Sequence, residues 1–63
     1  IMNTYDNALR QLDELIAHLG KQTASEEQSM EIVRLKTMKR MLSPHDQATV
    51  DKIDRYYQKH LSK

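Results

Sequence analysis

The sequence predicts an all-α fold: a small three-helix bundle, or a helical hairpin plus a third helix, completed by dimerisation. Three observations carry this. Apolar residues recur at steps of three and four in three separate segments, the spacing that lines one side of a helix. One Gly and one Pro punctuate 63 residues, too few for a β fold or a disordered linker. There is no Cys, Trp or Phe, so neither a disulfide nor a large aromatic anchor supports the core. A chain of this size buries only about 60% of the surface its unfolded form exposes. Oligomerisation is the expected remaining support.

The whole chain, 1–63, reads as a single helical domain with helices over about 4–19, 26–42 and 44–61. In the first, Asn3 or Thr4 serves as N-cap, its side-chain oxygen accepting from a free N–H of the first turn. Tyr5, Ala8, Leu12, Leu15 and Leu19 form the apolar stripe, widened by Leu9 and Ile16. Gly20 follows as the left-handed residue that commonly closes a helix. Residues 21–25 form a polar turn, in which Thr23 with Glu26 and Ser25 with Gln28 both fit a capping box.

The second helix opens on Glu26, Glu27 and Glu31 and closes on Lys36, Lys39 and Arg40, both placements suited to the helix dipole. Met30, Val33, Thr37 and Met41 line one side, while Leu35, Met38 and Leu42 extend the apolar arc. So broad an arc predicts neighbours on two sides, which makes this the expected central helix. Ser43-Pro44 must end it, because proline lacks the N–H and clashes with the preceding turn. Proline favours the first position of a new helix, with Ser43 as its N-cap. Val50, Ile53, Tyr57 and Leu61 then form the third core stripe, flanked by Tyr56 and His60.

Charge divides the chain. Residues 1–33 carry two basic side chains against six acidic ones, a net of −4; residues 34–63 carry eight against three, a net of +5. The asymmetry points to a partner: a second copy, another protein or a nucleic acid. The acidic side chains of the first helix (Asp6, Asp13, Glu14) suit the basic faces of another chain.

The nucleic-acid alternative rests on Lys36, Lys39 and Arg40 of the second helix with Lys52, Arg55 and Lys59 of the third, two stripes suited to a phosphate backbone. Asp51 and Asp54 interleave with the second stripe and weaken it. The protein-interface reading rests on Met30, Val33, Leu35, Met38, Met41 and Tyr56, since flexible thioethers suit adaptable partner surfaces. Glu14 and His18 lie four apart, but a metal site needs three or four ligands, and no cofactor or metal is expected. Gly20 cannot make a Gly-rich phosphate loop alone, and Ser25 and Ser43 read as caps.

Tyr5-Asp6-Asn7-Ala8-Leu9-Arg10-Gln11-Leu12, with Leu15, Ile16 and Leu19, resembles the opening helix of the small subunit of bacterial exonuclease VII. The likeness covers one helix, does not extend to Ser43-Pro44, and brings no functional residue with it. The expectation is therefore a non-enzymatic helical interaction module, a small cytoplasmic regulator or adaptor acting as a homodimer or on a larger protein. No apolar run reaches the ~18 residues of a membrane span, and the lack of cysteine fits a reducing compartment.

Overall fold

The computed structural model describes residues 2–21 and 25–61. Three helices are packed together, α1 (Tyr5–Gly20), α2 (Glu26–Met41) and α3 (Gln47–His60), with no strand among the described residues. The molecule is flat, 34 × 27 × 14 Å along its principal axes.

The caps explain where each helix begins. Thr4 caps α1, its Oγ1 accepting from the Asn7 N–H at 3.1 Å. Ser25 caps α2 through a complete capping box: its Oγ accepts from the Gln28 N–H at 3.1 Å, and its own N–H donates to Gln28 Oε1 at 3.2 Å. The alternative cap at Thr23 lies outside the described residues.

Two helix ends differ from expectation. Gly20 is the last residue of α1 rather than a left-handed residue beyond it, and its φ is not positive. The Lys21 N–H closes the helix instead, donating to the His18 carbonyl at 3.2 Å, so the end carbonyl is satisfied without reversing the backbone. The third helix begins at Gln47, not Pro44. Asp46 is its cap, accepting from the Thr49 N–H at 3.2 Å and from the Thr49 hydroxyl at 2.6 Å. Ser43 to Asp46 form a β-turn closed by the Asp46 N–H on the Ser43 carbonyl at 3.1 Å, with Pro44 at the second position, where its fixed φ fits. The Ser43 hydroxyl accepts from the His45 N–H at 3.2 Å, which places His45 in this turn.

The central helix is α1, not α2. It packs against both others, whereas no Cα of α2 comes within 8 Å of a Cα of α3 among the described residues. Ala8, Leu12 and Leu15 of α1 are fully buried against Leu35 of α2, Leu42 at its end, and Val50 and Ile53 of α3. Tyr5, Leu9, Ile16 and Leu19 extend α1's contribution on both flanks, and Met38, Tyr56, Tyr57 and Leu61 close the core from the other helices. The broad apolar arc of α2 has a different outcome from the one expected. Leu35 alone within the helix is fully buried, and the opposite side faces solvent.

A polar seam joins α1 to α3. Gln11 sits in the core stripe with 1% exposure. Its Oε1 accepts from Asn3 Nδ2 at 2.9 Å and its Nε2 donates to Asp54 Oδ1 at 2.8 Å. Asn3 also donates to the Val50 carbonyl at 3.1 Å, accepts from Asn7 Nδ2 at 2.6 Å, and offers its carbonyl to Gln47 Nε2 at 2.7 Å. The buried amide is thus satisfied at both ends, as a polar side chain in a core must be.

Candidate interaction surface

Packing against α1 and α3 sets which side of α2 is covered. Leu35 and Met38 turn toward α1 and α3. Half a turn away, Met30, Val33 and Met41 remain 69%, 62% and 74% exposed. With Thr37 they form a continuous strip along the outer side of α2, since residues three and four apart are neighbours on a helix. Scattered exposed apolar residues are ordinary; here three large ones are aligned on one helix face. The six residues expected at an interface therefore separate into two groups, an outward group of Met30, Val33 and Met41 and an inward group of Leu35, Met38 and Tyr56.

The inward group lines a cleft between α2 and α3 whose floor is Leu12 and Leu15. Its volume is about 60 Å³, far below a ligand pocket of about 300–1,000 Å³. Tyr56 spans the cleft. Its hydroxyl donates to Glu31 Oε2 at 3.1 Å, and Glu31 is held in turn by Arg34 Nε at 3.4 Å. Burial, then the hydrogen bond and charge of Glu31, raise the Tyr56 phenol above its ordinary pKa. Its ring stacks at a tilt on His60, 4.3 Å between centroids, and His60 itself is exposed. Tyr57 makes the matching link to α1, its hydroxyl donating to Glu14 Oε1 at 2.8 Å beneath the Arg10 guanidinium, 5.9 Å from the ring centre.

The charges of α1 are largely used inside the chain. Asp13 pairs with Lys39 at 2.6 Å, and Glu14 pairs with Arg10 as well as Tyr57. Glu14 is therefore held in an ion pair and a hydrogen bond, and no group of three or more His, Cys, Asp or Glu among the described residues is placed to hold a metal.

The basic residues border different clefts. Lys36, Lys39 and Arg40 border a groove between α1 and α2 with Tyr5, Leu9 and Ile16, whereas Lys52 borders the α2–α3 cleft. Arg55 and Lys59 are exposed on α3. Asp54, beside them, is held below the ordinary carboxylate range by its hydrogen bonds from Gln11 and Gln58 and by the charge of Arg55, so a fixed negative charge stands within this stripe.

Sequence reasoning missed the seam of Asn3, Gln11 and Asp54. The signal was present: Gln11 occupies the same helix face as Ala8, Leu12 and Leu15, and a polar side chain there requires partners.

Comparison with known proteins finds no matching protein family, characterised protein or solved structure. Among the described residues, no helix is long and apolar enough to cross a membrane.

Proposed function

We propose that this chain is a non-enzymatic helical interaction module, a small regulator or adaptor whose outer α2 face is covered by another polypeptide. One observation carries the reading: the exposed strip of Met30, Val33 and Met41 on a helix that gives only Leu35 fully to its own core. Leaving such a strip in water forgoes the favourable transfer of apolar area that a partner helix would supply. The rest of the molecule supports it. The seam and core hold α1 and α3 as a scaffold, and α2 lies against that scaffold with its outer side unobstructed.

The test is a pull-down from the source cell with nuclease treatment, comparing the wild-type chain with a Met30→Lys, Val33→Lys, Met41→Lys variant. All three sites are exposed, so the variant is expected to fold. The reading expects nuclease-resistant capture by the wild type, of itself or another protein, that the variant loses. Equal capture by both chains, or capture abolished by nuclease, would overturn it.

A further inference from the structure

The outer face of α2 is charged at its two ends in opposite senses. Glu26 and Glu27 are exposed in its first turn; toward its end Arg40 and Lys36 are exposed at the edge of this face, where it meets the groove to α1 that they border. Between them run Met30, Val33 and Thr37, at the alternating steps of three and four that form the seam of a helix pair.

We propose that this face pairs with α2 of a second copy of the chain, antiparallel, about a two-fold axis near Val33. The inference rests on the interaction-module reading and names its partner. In the antiparallel arrangement Glu26 and Glu27 of each copy meet the Lys36 and Arg40 end of the other, and the symmetry repeats the match at both ends. A parallel arrangement would set acid against acid and base against base. The antiparallel arrangement also opposes the two helix dipoles favourably. At the centre, Val33 lies near its own copy and Met30 faces the Thr37 end of the partner. Neither α1 nor α3 obstructs the approach, because both lie on the Leu35 side of α2. One face of a 16-residue helix is smaller than the roughly 800 Å² per partner of a standard interface, so dissociation is expected in the micromolar range.

The chain has no cysteine, so single introduced cysteines report the geometry. Sedimentation velocity between about 1 and several hundred micromolar is expected to show a monomer–dimer equilibrium that Val33→Lys abolishes. Under mild oxidation Val33→Cys should cross-link to itself at least about tenfold faster than Met41→Cys. Met41 is offset from its copy by about 24 Å in the antiparallel pair, from the 1.5 Å rise per residue. Reversing the acidic end alone (E26K with E27K) should weaken the dimer about tenfold at low salt, and adding K36E with R40E should restore it. Equal cross-linking at Val33 and Met41, or a dimer indifferent to Val33→Lys, overturns the proposed pairing while leaving the module reading in place. A helical monomer at every concentration overturns the second copy as partner, and the pull-down then judges the module reading separately. The cross-linking comparison does not depend on the lysine variant folding.

Discussion

Replacing Leu12 by Ala tests the placement of α1 at the centre. Leu12 has no exposed surface and forms the floor of the α2–α3 cleft, so it touches the packing of all three helices. The substitution removes three buried carbons, about 2.4 kcal/mol at roughly 0.8 kcal/mol each. A cavity term adds to this, limited because the site borders an existing cleft and can partly collapse. The expected loss is about 2.5–4 kcal/mol, inside the usual range for buried leucine. A domain of this size has about 3–9 kcal/mol in total, at the common figure per residue. Val33→Ala, on the exposed strip, is expected to cost within about 0.5 kcal/mol. Urea denaturation followed by far-UV circular dichroism, near 1 micromolar so that the monomer is measured (roughly the lower limit for a micromolar dimer), gives both values. If Val33→Ala cost as much as Leu12→Ala in dilute solution, the outer side of α2 would be buried within the single chain, and the helix arrangement described here would be wrong.

Three further outcomes are expected. Gln11→Glu sets a buried carboxylate against Asp54, so the variant should be least stable at neutral pH and recover as acid neutralises the pair; urea midpoints at pH 7 and 4.5 check this, and a variant equally stable at both would contradict the seam. In the wild type acid destabilises instead, and only at lower pH. Asp46 and Asp54 have folded pKa values held below the ordinary range, so their contribution is present above about pH 4 and is lost as pH falls through those lowered values; Thr49→Val should blunt the acid limb by removing the hydroxyl on Asp46. Tyr56 has a raised folded pKa, so its contribution is present below the ordinary phenol range and lost as pH rises through the folded value; absorbance titration of Glu31→Gln should show one of the three tyrosines ionising earlier than in the wild type.

Much of the architecture was legible because local rules decide it. The Tyr5–Leu19 stripe, the Ser25–Gln28 box and the break at Ser43-Pro44 each follow from backbone geometry or hydrogen bonding within a few residues, and each lies where expected or within a turn of it. What local rules do not decide is which of two apolar sides another helix covers. The arc of α2 is equally consistent with burial on two sides and with burial on one, and that ambiguity moved the expected centre from α1 to α2. At the third helix two caps competed, and the Asp46 carboxylate, with two donors from Thr49, prevails over the Ser43 hydroxyl. The interface residues were recognisable by type, and helix spacing sets Met30, Val33 and Met41 apart from Leu35 and Met38, but only the packing of α1 and α3 shows which side of α2 is covered and that Tyr56 faces the covered side.

With no Cα of α2 within 8 Å of one in α3, α2 joins the molecule through α1 and a few side chains, like one leaf of a book bound at a single edge. Swinging α2 away would break Leu35, the Lys39–Asp13 pair and the Tyr56–Glu31 bond, but none of the hydrogen bonds that pin Asn3 and Gln11 to α3. Amide hydrogens of α2 should therefore exchange with deuterium through a partial opening, ahead of those in α1 and α3, which wait for complete unfolding. Anything that clasps the outer side of that leaf would close the gap between the two exchange classes.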